Sequence, residues 1–226
     1  MDDNSTLSVI ITGTTGMVGE GVLLQCVHDP RVRRVLLVSR KSYGLTHPKV
    51  AEILVPDFFD LGDLSRFAPY DACFFCAGVS SIGMSEADYR RITHDMTLHF
   101  AHDLARVNPA MTFIYVSGAS TDSSEQGKSM WARIKGRTEN ALGRVGFKRV
   151  YNFRPGFMRP TPGQRNILAG YRVLGPLYPL FRRLWPNKVS TLQEVALAMI
   201  AVALEGYPKA ILEVSDINAL AASSAG

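Results

Sequence analysis

Three glycines, spaced Gly13-x-x-Gly16-x-x-Gly19, follow the apolar run Leu7-Ser-Val-Ile-Ile-Thr12 and open a helix-like segment. Glycines at a strand-to-helix junction let the backbone turn tightly and let phosphate oxygens approach main-chain N–H groups. A helix starting near Met17 aims the positive end of its dipole at such an anion. Gly13, Thr14, Thr15, Gly16, Met17, Val18 and Gly19 are therefore expected to cradle a pyrophosphate. The spacing is not the G-x-G-x-x-G of the usual dinucleotide fingerprint, and an ordinary tight turn is the alternative. Its place at the first strand-to-helix junction points to the dinucleotide.

The next apolar run, Val35-Leu-Leu-Val-Ser39, ends in Arg40-Lys41, and no Asp or Glu lies between Pro30 and Ala51. An acidic side chain at this strand tip grips a ribose 2′-hydroxyl, whereas an arginine accommodates a 2′-phosphate. A guanidinium suits a phosphate that a carboxylate would repel. Arg40 and Lys41 therefore point to NADP(H) rather than NAD(H), unless they only solvate a loop. Asp57, after the third strand, is placed to accept from an adenine amino group. Ala77 and Gly78, after the fourth, would let a cofactor ribose approach the backbone. Plain loop chemistry accounts for these three equally well.

The elements that would position these residues alternate. Strands are expected near 7–12, 34–39, 51–55, 72–77, 112–117, 149–153 and 210–214. Helices are expected near 17–28, 62–67, 85–107, 129–145 and 191–204, the last opened by the capping box Thr191-Leu-Gln-Glu194. Alternation of this kind predicts an α/β protein: one Rossmann-type domain over residues 1–226, a doubly wound parallel sheet covered on both faces. Residues 155–187 break the pattern with six prolines and many bulky apolar side chains. They read as a C-terminal apolar excursion with a short helix near 164–173. A substrate cap, an oligomer contact and a peripheral membrane patch are the three readings, in that order.

Composition bounds the rest. The chain has 226 residues, 46% hydrophobic and 20% charged, with a formal charge of +5. Its basic residues are scattered, with no nucleic-acid motif, so small anionic ligands account for them. Met1-Asp-Asp-Asn-Ser5 does not resemble a secretory leader, and no apolar run reaches the roughly 18 residues that span a bilayer. Cytoplasm is the default expectation, as a monomer or homodimer. Cys73 and Cys76 lie on opposite faces of an expected strand, so three reduced thiols are expected rather than a redox pair. His94, His99 and His102 share a helix but offer too few converging ligands for a metal.

Phe113-Ile-Tyr-Val-Ser117 ends the fifth strand, and Trp131-Ala-Arg-Ile-Lys135-Gly136 opens the following helix. With the glycine loop, Arg40, Asp57-Phe58, Cys76-Ala-Gly78 and Phe153-Arg-Pro-Gly156, the chain resembles the atypical short-chain dehydrogenase/reductase family from about Ser8 to Ile217. Within it the resemblance is greatest to the Tat-interacting-protein oxidoreductase-like group and its epimerase-like bacterial relatives. The resemblance implies Ser117 as the hydroxyl that polarises a substrate oxygen and Lys135 as the ammonium that binds the nicotinamide ribose. It also implies a tyrosine four residues before the lysine, on the same helix face, as proton donor. Here that position is Trp131, whose indole N–H cannot act as an acid near neutral pH. Tyr171 or Tyr178, on the excursion, is a candidate to supply a hydroxyl, with water or the substrate itself as the alternatives; Ser120 is a candidate substitute for Ser117. Two functions follow: an NADP(H)-dependent oxidoreductase or epimerase-like enzyme on an unknown small carbonyl or alcohol, and a non-catalytic NADPH-binding sensor or interaction protein.

Overall fold

The side chains of the first strand divide between two apolar clusters: Val9 and Ile11 enter one, Ile10 the other. A strand buried on both faces belongs in the middle of a parallel sheet. The structure, a computed structural model, describes residues 6–167, 170–171 and 175–224. Nine strands follow in chain order: β1 (Leu7–Thr12), β2 (Val32–Ser39), β3 (Val50–Leu54), β4 (Ala72–Phe75), β5 (Thr112–Val116), β6 (Arg149–Arg154), β7 (Phe157–Arg159), β8 (Val189–Thr191) and β9 (Ile211–Glu213). Seven form one sheet, ordered β3-β2-β1-β4-β5-β6-β9, with every pairing parallel. β7 and β8 pair separately, also in parallel.

The helices are α1 (Met17–His28), α2 (Glu86–Arg90), α3 (Met96–Val107), α4 (Met130–Leu142), α5 (Tyr178–Leu184), α6 (Leu192–Glu205) and α7 (Val214–Ser224). α1 and α6 cover the Val9/Ile11 face, where Val22, Leu23 and Cys26 meet Val195, Met199 and Val202. α3 and α4 cover the other face through Phe100, Leu104 and Leu142, packed on Phe75 and Phe113. This is the expected α/β doubly wound sheet. The order reverses at β1, which has β2 on one side and β4 on the other. That reversal opens a crevice beyond the carboxyl ends of β1 and β4, where such sheets bind ligands.

Departures from the expected elements have local causes. The helix expected over 85–107 is interrupted by a π-helical turn, Arg91–Asp95, between α2 and α3. The helix near 62–67 is one 3-10 turn, Leu64–Phe67, capped by the Asp63 carboxylate. The fourth strand stops at Phe75, because the Cys76 and Ala77 N–H groups both donate to Thr12 Oγ1 at 3.1 Å. Residues 164–167 are not helical, and 168–169 and 172–174 lie outside the described residues. β7, β8 and α5 are too short for alternation or helical period to register. The Ala/Ser-rich stretch over Val214–Ser224 is helical, with Ile217 and Ala221 buried. Thr191 and Glu194 do form the capping box that opens α6.

Candidate dinucleotide-binding and catalytic site

The turn from β1 into α1 is packed too closely for side chains. Gly13 has φ +70°, and a Cβ there would lie 2.6 Å from the Cys76 carbonyl carbon and oxygen. A Cβ on Gly19 would lie 2.3 Å from the Gly13 carbonyl oxygen, so the third glycine brings α1 onto the loop. Gly16 caps α1 without a side-chain acceptor, which leaves the first-turn amides for a ligand. The loop opens on a cleft of about 710 Å³ at the β1/β4 crevice, lined by Gly13, Thr15, Gly16, Arg40, Ala77 and Gly78 among others. These residues fit a nicotinamide dinucleotide: a turn with no room for a Cβ at Gly13 or Gly19, faced by cations. Thr14, Met17 and Gly19 are buried and shape the turn from behind.

Arg40 and Lys41 are exposed on the far wall of this cleft, and neither side chain pairs with a carboxylate among the described residues. Their loop is pinned from below by Glu52 on β3. Its carboxylate accepts from the Ser42 hydroxyl at 2.5 Å and the Tyr43 N–H at 2.8 Å. Arg40, Ala77 and Gly78 also border an adjoining cleft of about 280 Å³ with Asp57 and Phe58. The Asp57 carboxylate accepts from the Phe59 N–H at 3.1 Å, which turns that loop.

A separate, shallower cleft of about 450 Å³ holds the residues expected on the substrate side. Trp131 and Lys135 line it from α4, Ser117 from the end of β5, and Val18 from the first turn of α1. Val18 follows the glycine turn that lines the first cleft, so α1 starts between the linings of the two. The Lys135 ammonium donates to the Ser117 carbonyl oxygen. Burial pushes its pKa down to about 8, against the opposing pull of the Glu139 carboxylate. The Ser117 hydroxyl is buried and donates to Glu139 Oε1 at 2.5 Å, with Phe153 O at 3.1 Å. Arg154 is buried and acts as a structural donor, to both Glu139 oxygens, to Glu213 and to Ser123. Ser120 is exposed with φ 68° and does not line this cleft.

Of the two tyrosines on the excursion, Tyr171 lines this cleft and Tyr178 does not. Tyr171 stacks on Phe157, centroids 4.7 Å apart and planes 14° from parallel, and burial raises its pKa. Tyr178 is buried under the Arg159 guanidinium. Beyond it, Leu177, Leu180, Leu184 and Trp185 are exposed along α5. The three cysteines are free; Cys73 and Cys76 pack against opposite apolar clusters, and burial holds Cys76 up at about 12. His94 and His99 lie beside Asp95 and Asp103, with no cluster able to hold a metal ion among the described residues.

Sequence reasoning missed Glu20, which is fully buried in the first turn of α1. Its carboxylate accepts from the Tyr43 hydroxyl at 2.9 Å and from the Arg165 and Asn166 N–H groups at 2.9 and 2.7 Å. Gln164 donates to Met17 O at 2.8 Å alongside. The start of the excursion is thus tied to the helix that carries the glycine loop. Thr12, Glu52 and Glu139 were missed as well. A buried acid inside an apolar helix is the one signal that could have found Glu20.

The fold is the one seen in solved short-chain dehydrogenase and epimerase structures. No family model matches the chain. A short-chain dehydrogenase from Burkholderia cenocepacia in complex with NADP superposes with TM-score 0.64 at 15% identity, over 97% of this chain and 94% of that one. The Bordetella bronchiseptica enzyme WbmH in complex with NAD+ superposes with TM-score 0.63 at 14% identity, over 92% and 75%. In sequence, the mitochondrial protein fmp52-1 of Aspergillus terreus is 26% identical over 216 residues, 88% of this chain and 89% of its own length. Protein HTATIP2 of Rattus norvegicus is 26% identical over 156 residues, 67% of this chain and 62% of its own. These relatives and neighbours fit the atypical short-chain dehydrogenase/reductase family to which the motifs point. Both of the superposed structures hold a nicotinamide dinucleotide.

The comparisons correct one expectation. Cytoplasm was the default, yet the Aspergillus relatives are named mitochondrial. The default rested on a polar start and the lack of a bilayer-length apolar run, and neither separates cytoplasm from an organelle. No helix among the described residues is long and apolar enough to cross a membrane.

Proposed function

We propose that this protein is an NADP(H)-binding oxidoreductase acting on a small carbonyl or alcohol, with residues 155–187 forming part of its substrate side. The observation that carries the reading is the Gly13 turn, which has no room for a Cβ and opens on a cleft whose far wall holds Arg40. In this reading the amides of the Gly13–Gly16 turn and of the first turn of α1 hold the pyrophosphate. Arg40 and Lys41 take the 2′-phosphate, Asp57 takes the adenine amino group, and Ala77 and Gly78 leave space for a ribose. Lys135 orients the nicotinamide ribose, and the bound dinucleotide supplies hydride chemistry to the adjoining cleft.

Calorimetry with NADPH and NADH tests this. Arg40→Asp is expected to weaken NADPH at least tenfold more than NADH, through a lost charge-assisted contact and a new repulsion. Equal weakening removes the 2′-phosphate assignment, and no heat with either coenzyme removes the reading itself.

A second reading, a non-catalytic NADPH-binding sensor, is favoured by one specific arrangement. The Ser117 hydroxyl is committed to Glu139, the Lys135 ammonium to Ser117 O, and Trp131 stands where a tyrosine would donate. NADPH binding without turnover on any aldehyde, ketone or quinone supports that reading.

A further inference from the structure

Two features of the substrate-side cleft point to the same class of ligand. The first is its lining. Trp131, Phe157, Tyr171, Met158, Val18 and Val116 present apolar surface, and Lys135 is the one charged residue among the described lining groups. That ammonium is already donating to Ser117 O. A diphosphate or a polyhydroxylated ring placed here would lose water contacts without replacing them, which is costly. The stacked Phe157 and Tyr171 rings and the Trp131 indole instead give the cleft aromatic surface, which suits an aromatic or quinonoid ring.

The second feature is the missing proton donor. Reducing a simple ketone or aldehyde produces an alkoxide, about as basic as hydroxide, so an acid must be at hand. No Asp, Glu or His lines this cleft among the described residues, Trp131 fills the tyrosine's place, burial raises the pKa of the Tyr171 hydroxyl, and the Lys135 ammonium is already held by Ser117 O. A substrate whose reduced form is a phenolate, with a conjugate pKa of about 10, needs no such acid.

We infer that the cleft takes a flat, apolar quinone of one or two rings, reduced by a bound reduced nicotinamide dinucleotide. This rests on the cofactor reading above and names its substrate class. One hydride equivalent, two electrons and a proton, leaves the reduced nicotinamide as its C–H bond breaks. It forms an O–H bond at one quinone oxygen, and the ring becomes aromatic. The product is the hydroquinone monoanion plus oxidised nicotinamide. Water supplies the second proton after the anion leaves, so no protein acid is consumed.

The chain's two tryptophans make the test direct, because Trp131 lines the cleft and Trp185 is exposed just past the end of α5. In a Trp185→Phe variant, emission reports on Trp131 alone. A soluble naphthoquinone, titrated without cofactor, is expected to quench it saturably. Adding Phe157→Leu, which keeps the strand apolar but removes the aromatic wall, is expected to raise the midpoint at least tenfold. UDP-glucose is expected neither to quench nor to compete. Absence of saturable quenching, an unchanged midpoint with Phe157→Leu, or displacement by UDP-glucose would each overturn the assignment. NADPH calorimetry on the same variant separates the two layers. Heat with NADPH but no quinone quenching sinks the substrate class alone, whereas no heat with NADPH sinks the cofactor reading and the reduction with it.

Discussion

Ser117 Oγ donates to Glu139 Oε1 at 2.5 Å, and each residue is only 2% exposed. Glu139 also takes the Arg154 guanidinium, so one carboxylate joins the end of β5, the body of α4 and the end of β6. The hydroxyl that the family resemblance assigns to the substrate is here part of a buried ionic cluster beneath the cleft.

That cluster ranks two substitutions. Glu139→Gln removes the charge that neutralises buried Arg154, and breaking one partner of a buried pair costs about 3–5 kcal/mol. Ser117→Ala removes one hydrogen bond to a charged group, worth about 1.5–3 kcal/mol, and leaves the ion pair intact. Urea denaturation is expected to place Glu139→Gln well below Ser117→Ala. The reverse order would mean that the serine hydroxyl, not the ion pair, organises this end of the sheet.

Glu20 makes a comparable commitment on the cofactor side. Burial alone would raise its pKa, but the Arg165 and Asn166 N–H groups with the Tyr43 hydroxyl outweigh it, and the net shift is downward. A carboxyl with a lowered folded pKa contributes stability that is present above its ordinary value near 4.5 and lost as pH falls through the folded value. Glu20→Gln keeps the shape but offers one weak acceptor in place of two charged oxygens. The Arg165 and Asn166 amides are then expected to exchange with solvent at least tenfold faster at pH 7, while amides in β1 hold their protection. Unchanged exchange at 165–166 would show that Gln164 alone ties the excursion to α1.

How much of this was legible depends on the range of the contacts. β1, the glycine turn and α1 are contiguous, and their apolar run and glycine spacing follow from local backbone demands. The capping box at Thr191 and Glu194 is legible for the same reason. Glu20 meets Arg165 and Asn166 across 145 and 146 positions, and nothing local in α1 announces that partnership. Ser117 shows the converse: its strand-end position is readable, but its hydroxyl's direction depends on Glu139, 22 residues on. β7 and β8, three residues each, carry no period to read.

Lys135 gives the clearest dependence on pH. Its pKa falls from an ordinary 10.5 to about 8 in the folded chain, chiefly through burial. Between those values the unfolded chain binds more protons, so this group adds stability as pH rises through the window. Ligand binding runs the other way, because the ammonium is lost over the same range. NADPH affinity is therefore expected to drop severalfold between pH 7 and 9. Lys135→Arg, whose guanidinium stays charged, should flatten that drop even if its absolute affinity is lower. A profile identical in both chains would place the titrating group elsewhere.

Trp131 is the residue on which the two functional readings divide. It sits one helical turn before Lys135, on the face that lines the substrate cleft. Trp131→Tyr would put a phenol beside an ammonium that favours its ionised form. The space is adequate because tyrosine is smaller than tryptophan. If the proton is what this site lacks, reduction of simple aldehydes and ketones by NADPH should rise by about 10²-fold, the low end for a positioned general acid. NADPH binding should stay within a few-fold of the parent, since Trp131 does not line the cofactor cleft. An increase confined to carbonyls that yield alkoxides, with quinone reduction unchanged, ties the gain to proton supply. Silence towards carbonyls in the tyrosine chain, with cofactor still bound, would show that Ser117 and Lys135 are held too firmly by Glu139 and the β5 backbone to take part.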